Sequence, residues 1–437
     1  MENPQSAHAG TAAPGPESPT AVAAPASEAG TAPDPEPAAT GTSRATGTGT
    51  TPETSAEPET ITALEASAVL EVSPEPAPIG PIPEPDAAIA AAEQAAARGR
   101  ARALDLPADG FGRLAEVSVW IAAAQGASPP RPITRARAVL LAADHGVAAG
   151  GLYPWPAGAT ARRAAAVAAG GSPLAVLARR GGVGLRVVDV AVADTADEAT
   201  PAPATGYRVR AGNGRIDQDD ALTVPELDLA FATGRRLADE EIDGGADLLV
   251  TGALGVGADT AAAVVIAALR DLEPIDVVDR GDGSDDERWM LRTAAIRDAL
   301  RRVRPFASDP RSVLRVAGGA DLAALTGLLI QAALRRTPVI IDGVPGCAAA
   351  LTAERIAPGA RAWWLVGAEP GDPAATHAVG TLGLRSFIDL KTRTDDGSGA
   401  LAAATLVIDA VETAVDLDAA AATVRRPDDD LNIPDIT

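Results

Sequence analysis

The sequence predicts a doubly wound α/β domain behind a disordered N-terminal tail. Short runs rich in Val, Ile and Leu alternate with longer helix-like stretches, which is the order of parallel strands joined by crossover helices. The runs are continuously apolar, as strands buried on both faces are. Gly, Asp and Thr follow these runs, and an open α/β sheet binds ligands at that point. We therefore expect one ligand crevice along the carboxyl ends of the strands.

The tail is predicted over residues 1–78, which consist mainly of Ala, Pro, Thr, Ser, Glu and Gly. Residues 1–95 contain 14 acidic residues and a single basic one, Arg44, and so carry −13 of the net charge of −22. Such a segment buries too little apolar surface to offset the entropy of ordering. We interpret it as a disordered acidic extension that aids solubility, followed by one α/β domain over 79–437.

Composition excludes several classes of function. The net charge of −22 argues against nucleic acid, because phosphate binding needs a basic face. One cysteine, Cys347, cannot form an internal disulfide, and three histidines with one cysteine disfavour a structural zinc site. The chain starts with no basic and apolar leader and has no apolar run of membrane-spanning length. We expect a soluble cytoplasmic protein with no metal, no cofactor and no membrane partner.

The elements follow in order along the chain. Two helices are predicted first. The first of them is predicted because Pro85 precedes an Ala-rich run. Strands and helices then alternate along the chain. The predicted helices are 86–104, 112–126, 160–180, 224–245, 260–271, 287–304 and 320–336. The predicted strand-like runs, with the loops that end them, are 137–151, 185–192, 247–260, 275–286, 338–346 and 362–372.

A glycine turn follows the third apolar run, in TGALGVGADT (251–260). Backbone N–H groups of Gly255, Gly257 and Thr260 can hold a phosphate at the start of the next helix. The turn lacks the lysine of a nucleotide-binding P-loop and the third glycine of a dinucleotide fingerprint. A plain tight turn, capped by Asp259 or Thr260, explains the same residues equally well.

Other polar residues lie at further strand and loop ends. The loop DRGDGSDD contains Gly281, and Arg292 lies in the helix after it, where an arginine can reach a phosphate. Asp342 and Gly343 end a buried strand, so Asp342 can orient sugar hydroxyls or cap a helix. The Asp144–His145 pair is interpreted as structural, because no second histidine is near it in sequence.

The segment TDDGSGALAA (394–403) places Asp395 and Asp396 directly before Gly397, Ser398 and Gly399. An Asp at a helix start can be an N-cap, or it can be a general base beside an anion-binding turn. Anion-binding turns, carboxylates for hydroxyl groups and a candidate base all fall at strand or loop ends. This arrangement indicates a nucleotide or sugar-phosphate ligand and transfer chemistry.

The order of these motifs resembles the nicotinate-nucleotide–dimethylbenzimidazole phosphoribosyltransferase family, which makes the lower ligand of cobalamin. The similarity spans roughly residues 80–415 and does not include the tail. The matching segments are AADHGVAAGG, GGADLLVTGALGVGADTAAA, GGADLAALTGLLIQAALRRTPVIIDG and LGLRSFIDLKTRTDDGSGALAA.

The resemblance implies a fold and a reaction. The fold is a Rossmann-like parallel sheet with a small helical domain from both chain ends, here 79–130 and the C-terminal end, in a homodimer. In the reaction, a benzimidazole nitrogen attacks the anomeric carbon of nicotinate mononucleotide. Nicotinate leaves and α-ribazole 5′-phosphate forms, with no metal or cofactor.

The resemblance also implies roles for single residues. Asp396 occupies the position of the general base, which leaves Asp395 as a solvated cap. Asp342 orients the ribose. The substrate-binding positions are Tyr153, Arg162, Gly255, Gly257, Thr260, Gly281, Arg292, Gly343, Gly397, Ser398 and Gly399, of which Tyr153 and Arg162 stand where the family has the Ser and Gln of its benzimidazole pocket.

Several positions differ from the family pattern. Asp396 replaces a Glu and is one methylene shorter, Ala253 replaces an acid of the glycine turn, and Glu369–Pro370 replaces a cationic phosphate-binding stretch. These differences motivate an alternative, a catalytically impaired paralogue that binds a nucleotide or azole or pairs with a partner protein. A nucleotide-dependent oxidoreductase is a third hypothesis, suggested by the sheet and the glycine turn alone.

Overall fold

A six-stranded, fully parallel sheet forms the centre of the protein. The computed structural model describes residues 79–194, 206–280 and 286–423, so the predicted tail at 1–78 lies outside the described residues and the domain boundary stays a prediction. The strand order is β2-β1-β3-β4-β5-β6. The strands are β1 (Ala136–Ala143), β2 (Gly184–Ala191), β3 (Leu248–Leu254), β4 (Val339–Ile341), β5 (Trp364–Ala368) and β6 (Ser386–Ile388).

Helices connect the strands and also form both ends of the described chain. The predicted helix 160–180 is two helices, because Gly170 and Gly171 end the first one and Ser172 caps the second. The helices are α1 (Ala87–Ala103), α2 (Gly112–Gln125), α3 (Ala159–Ala168), α4 (Pro173–Arg180), α5 (Val224–Asp243), α6 (Ala258–Arg270), α7 (Pro274–Val277), α8 (Asp286–Val303), α9 (Pro310–Val313), α10 (Ala320–Leu334), α11 (Gly343–Ile356), α12 (Pro373–Leu382) and α13 (Ser398–Thr423).

The strands of the structure differ from the sequence predictions in two places. The prediction of a strand-like run over 275–286 is wrong, because Pro274–Val277 forms the single turn of α7. Pro274 suits a first helical position, and Glu273 and Asp276 form a reciprocal capping pair around that turn. The strand β6 is absent from the sequence predictions, since three residues are too few to show a pattern.

The sheet is buried on both faces, as the continuous apolar runs predict. Val139, Leu141 and Ala143 of β1 belong to one core, with residues of α5, α6, α10 and α11. The alternate residues Ala138 and Leu140 belong to a second core, with α2, α3, α4 and α13. Successive side chains of a strand point to opposite faces, so this division confirms the doubly wound α/β fold.

Glycines permit a very close approach between α5 and α10. A Cβ built at Gly234 of α5 would lie 1.7 Å from the carbonyl oxygen of Ala324 in α10. A Cβ built at Gly327 of α10 would lie 2.2 Å from the carbonyl oxygen of Phe231 in α5. The two backbones therefore pack directly on each other, and this contact fixes α10 and its N-terminal end against the sheet.

The two ends of the described chain pack together as a helical unit of α1, α2 and α13. Arg100 of α1 is buried and pairs with the buried Glu93, and its other guanidinium nitrogen lies 3.2 Å from Asp418 of α13. Ser128 donates a 2.8 Å hydrogen bond to the second oxygen of Glu93. Among the helices that the structure describes, none is both long and apolar enough to cross a membrane.

The close approach of α5 and α10 predicts a large effect of Gly234→Ala. The added methyl group forces the two helices apart, so we expect the free energy of unfolding to fall by at least about 2 kcal/mol. Gly380→Ala is the matched control, because a Cβ at Gly380 meets no atom within 4 Å and Ala favours a helix by about 0.5–1 kcal/mol. Urea unfolding measures both variants, and equal stabilities would contradict the packing.

Candidate active site

The site is a cleft at the carboxyl ends of β4 and β5, on the side of the sheet where the sequence predicts a ligand crevice. The cleft has a cavity volume of about 90 Å³ and is lined by the loops that follow these strands, by residues 392–395 and by the start of α6. Six carboxylate side chains line the described part of the cleft beside Arg393, and they belong to Asp259, Asp279, Asp342, Glu369, Asp372 and Asp395.

Glycines in β3 and α11 allow the 394–399 loop to lie directly over the strand ends. A Cβ at Gly252 of β3 would lie 2.3 Å from the backbone oxygen of Asp396. A Cβ at Gly343, which has φ +65°, would lie 2.4 Å from Asp395 Oδ1. The N–H of Ala253 donates a 3.2 Å hydrogen bond to the backbone oxygen of Asp395. Gly343 therefore makes room for a carboxylate in the cleft.

Asp342 joins the end of β4 to the start of α13. Its side chain is buried, and Oδ2 accepts a 3.0 Å hydrogen bond from the N–H of Gly399. Burial raises the pKa of Asp342 to about 6, and the nearby Asp396 adds to this effect, whereas the N–H groups of Ala400 and Gly399 oppose it. Asp342 therefore lies in the site as predicted, as a fixed carboxyl group whose pKa is raised towards neutrality.

Asp395 and Asp396 make different contacts. Asp396 Oδ1 accepts hydrogen bonds from Thr394 Oγ1 at 2.7 Å and from the N–H of Ser398, the first residue of α13, at 3.0 Å. Asp395 lines the cleft, and its Oδ1 accepts a 3.0 Å hydrogen bond from the N–H of Val344 in α11. The prediction that Asp395 is the solvated cap is therefore wrong, because the capping bond belongs to Asp396.

Burial and the closeness of several carboxylates raise the pKa values of carboxyl groups in the cleft. Burial raises the pKa of Asp395 to about 7, and the neighbouring carboxylates of Asp372, Asp342 and Asp396 add to it, against the Val344 N–H. Burial also raises the pKa of Asp372 to about 6, with a contribution from Asp279, although Asp372 caps α12 through the N–H of Ala374 at 2.7 Å. Groups with pKa values near neutrality suit proton transfer.

Arg393 supplies a positive charge at the mouth of the cleft. Its Nη2 atom donates to Asp279 Oδ1 at 3.1 Å and to the carbonyl oxygen of Gly371 at 2.5 Å. The sequence predictions missed Arg393, together with Asp279 and Asp372, and they considered Glu369 only as a departure from the family pattern. The available signal was position, because Asp372 ends the sixth predicted run and Arg393 lies three residues before the proposed base.

Three predicted binding residues meet in one cluster beside the cleft. Arg292 donates from Nε to Thr260 Oγ1 and from Nη2 to the Tyr153 hydroxyl, each at 3.0 Å, and it pairs with Asp259. Tyr153 also donates to Asp259. Burial raises the pKa of Tyr153, although the charge of Arg292 opposes the shift. The positive charge of Arg292 also acts to lower the pKa of Asp372, so Arg292 influences the cleft electrostatically.

The remaining predicted residues have different positions and contacts. Gly255 and Gly257 satisfy packing needs, since a Cβ at Gly255 would lie 1.9 Å from the Ala143 carbonyl oxygen and Gly257 has φ +94°. Gly397, Ser398 and Gly399 form the turn into α13, with φ +92° at Gly397. Arg162 is not brought to the cleft, because it is exposed and donates to the carbonyl oxygen of Ala157 at 3.0 Å. Gly281 lies outside the described residues.

Over the parts of the chain that the structure describes, no group of three or more His, Cys, Asp or Glu side chains is placed to hold a metal ion. The groups that the described cleft offers to a ligand are carboxyl groups, Arg393 and backbone N–H groups at helix starts.

The raised pKa of Asp342 predicts how stability changes with pH. The pKa is about 6 in the folded state and 3.8 in the unfolded reference, so the folded state binds the proton more tightly and stability is lost as pH rises through 6. Asp342→Asn removes this loss. As the pH is raised from 5 to 7.5, we expect the free energy of unfolding of the variant, measured with urea, to increase by about 1 kcal/mol relative to that of the wild type.

Asp298→Asn is the control for this pH series. The pKa of the exposed Asp298 is lowered from 3.8 by its hydrogen bond to Arg297, so the stability that Asp298 contributes is lost only at pH values below this range. Between pH 5 and pH 7.5, the difference between Asp298→Asn and the wild type should therefore stay constant. A constant difference between Asp342→Asn and the wild type across the pH range would contradict a raised pKa at Asp342.

Comparisons with known proteins agree with this fold. A phosphoribosyltransferase family model matches residues 82–424. Over 305 residues, the chain is 48% identical to the nicotinate-nucleotide–dimethylbenzimidazole phosphoribosyltransferase of Mycobacterium tuberculosis, and the match covers 70% of this chain and 83% of that protein. The enzyme of the same name from Streptomyces avermitilis is 47% identical over 313 residues, which cover 71% of this chain and 83% of that protein.

The likeness extends to solved structures. The crystal structure of CobT from Thermus thermophilus superimposes with a TM-score of 0.68 and 33% sequence identity, and the match covers 74% of this chain and 96% of the other. The sequence resemblance is thus confirmed by the family match, by the relatives and by the three-dimensional fold. The chain belongs to the phosphoribosyltransferase family.

Proposed function

We propose that this protein transfers the 5-phosphoribosyl group from nicotinate mononucleotide to 5,6-dimethylbenzimidazole, which gives α-ribazole 5′-phosphate and nicotinate for cobalamin nucleotide-loop assembly. It is a pentosyltransferase. The observation that carries the proposal is the cleft at the ends of β4 and β5, in which Asp342 and Asp395 are held as fixed carboxyl groups. Nothing in the fold or in the comparisons favours the alternative of a catalytically impaired paralogue.

The reaction needs three functions that the cleft can supply. An azole nitrogen attacks C1′ of the ribose, and the bond from C1′ to the pyridinium nitrogen breaks with its electron pair leaving on nicotinate. Positive charge develops on the ribosyl group during this displacement, and the surrounding carboxylates stabilise it. The second azole nitrogen then loses its proton to a carboxylate of the 394–399 loop. Holding both substrates in line removes much of the entropic barrier.

The substrate positions follow from the charges around the cleft. We place the 5′-phosphate between Arg393 and Arg292, and the ribose hydroxyl groups against Asp342. The turns at Gly255–Gly257 and Gly397–Gly399, with Gly343 and Thr260, form the backbone surface around the nucleotide. Tyr153, which the resemblance assigns to the azole pocket, contacts Arg292 and so lies at the phosphate end in this scheme. The sequence prediction assigns the proton to Asp396. No cofactor takes part in this scheme.

We also propose that the protein is a cytoplasmic homodimer. The support for dimerisation is an apolar groove between α1, α2 and α13, where Leu114 is 38% exposed. Exposed apolar patches of this kind are typical of protein interfaces. The support for a cytoplasmic location is the use of a single cysteine, Cys347, which is buried and free.

A turnover assay tests the proposed function directly. The full chain is incubated with nicotinate mononucleotide and 5,6-dimethylbenzimidazole, and products are separated by chromatography with mass detection. We expect α-ribazole phosphate and nicotinate in equal amounts, because one glycosidic bond forms for each one broken. A reaction without the azole is the control for hydrolysis. Absence of the ribazole product from folded protein would contradict the proposal.

Arg393→Met tests the phosphate position. Loss of one charged hydrogen bond to phosphate is worth roughly 1.5–3 kcal/mol, so we expect kcat/KM for nicotinate mononucleotide to fall about 10- to 100-fold. The same measurement with nicotinate riboside, which lacks the phosphate, should show little difference between variant and wild type. Arg393→Lys keeps the charge but loses the forked geometry, so its kcat/KM should lie between the values for Arg393→Met and the wild type. An equal fall in kcat/KM with both substrates would show that Arg393 does not bind the phosphate.

A further inference from the structure

The two carboxylates of the 394–399 loop are not equivalent. Asp396 Oδ1 already accepts two hydrogen bonds, from Thr394 Oγ1 and from the N–H of Ser398, and these hold the carboxylate against the first turn of α13. Asp395 lies in the wall of the cleft beside Thr394, Arg393 and Gly343. The sequence predicts the opposite division, with Asp396 as the base and Asp395 as the cap.

The backbone shows that the position of Asp395 is built and not incidental. Asp395 has φ +55°, a left-handed conformation that Asp adopts more readily than most residues other than glycine, and this conformation sets the direction of its side chain. Its carboxylate fills the space that a Cβ at Gly343 would occupy, since that Cβ would lie 2.4 Å from Oδ1. The N–H of Val344 fixes Oδ1 at 3.0 Å. Among the described residues, Asp395 Oδ2 has no hydrogen-bond donor and is available to a ligand.

From this arrangement we infer that Asp395, and not Asp396, accepts the proton of the azole in this protein. The inference rests on the proposed phosphoribosyl transfer. When the azole nitrogen bonds to C1′ and nicotinate leaves with the electron pair, the second azole nitrogen carries a proton. That proton passes to Asp395 Oδ2, which leaves a neutral ribazole base and a protonated carboxyl group. Asp396 positions the turn that carries Asp395.

The electrostatic surroundings agree with this role. The pKa of Asp395, about 7, lies close to neutral pH, where a general base is most effective. The positively charged group that lines the cleft with Asp395 is Arg393. The acidic groups around it are Asp259, Asp279, Asp342, Glu369, Asp372 and Asp396.

Two matched variants test the inference. Asp395→Asn keeps the size of the side chain, and Asn tolerates the left-handed conformation, so the fold should survive. Asp396→Asn keeps an oxygen that can cap α13. We expect kcat to fall at least about 100-fold in Asp395→Asn and less than about tenfold in Asp396→Asn. Calorimetric titration with nicotinate mononucleotide should show that both variants still bind it.

The pH profile adds a readout that a structural role would not change. In the wild type and in Asp396→Asn, kcat should rise with pH through a limb near 7, because the base must lose its proton. Asp395→Asn should lose this limb. The double variant Asp395→Asn with Asp396→Glu should stay inactive, although it restores the longer carboxylate of the family pattern.

The outcomes separate this inference from the proposed function. Absence of turnover in the wild type would overturn the proposed transfer itself. With an active wild type, the assignment is overturned if Asp396→Asn loses as much activity as Asp395→Asn. It is also overturned if Asp396→Glu restores turnover to Asp395→Asn. Loss of activity and of the pH limb in Asp395→Asn alone would establish Asp395 as the proton acceptor.

Discussion

The site depends on one steric constraint, the direct contact of the 394–399 loop with the backbone of the sheet. Side chains at Gly252 and Gly343 would collide with Asp396 and Asp395. Gly399 obeys the same constraint, because a Cβ there would lie 2.8 Å from Asp342 Oδ1. With these three glycines, a loop from late in the chain closes over strands from its middle. The carboxylates of Asp342 and Asp395 come together only because this contact is possible.

The acidic character of the cleft follows from that closure. Burial takes several carboxylates out of water at once, and their mutual repulsion adds to the rise in the pKa values of Asp342, Asp372 and Asp395 towards neutrality. Such a site favours ligands that carry or develop positive charge, as a pyridinium ribotide does. Arg393 and Arg292 balance the negative charge at the edges, where the anionic phosphate of the same substrate is placed in our proposal.

Most of the fold was predictable because it depends on local patterns. Continuous apolar runs identified β1 to β5, and the helix-like stretches between them, with the Ala-rich run after Pro85, identified the longer helices. The failures occurred where local patterns are weak. The single turn at Pro274–Val277 resembles a short apolar run, and β6 has three residues whose strand geometry comes from pairing with β5. The sequence resemblance supplied the helical unit of the chain ends.

By itself, the sequence determined the fold class, the family and the region of the site, because these depend on order and spacing along the chain. It named Tyr153, Thr260 and Arg292 separately, as residues of the azole pocket, the glycine turn and a phosphate contact, and the structure joins them in one cluster. Only the tertiary structure decided which of two adjacent carboxylates caps α13 and which faces the cleft. Spacing cannot make this distinction, because the direction of each side chain is fixed by backbone φ at Asp395 and by donors such as Val344, 51 residues earlier in the chain.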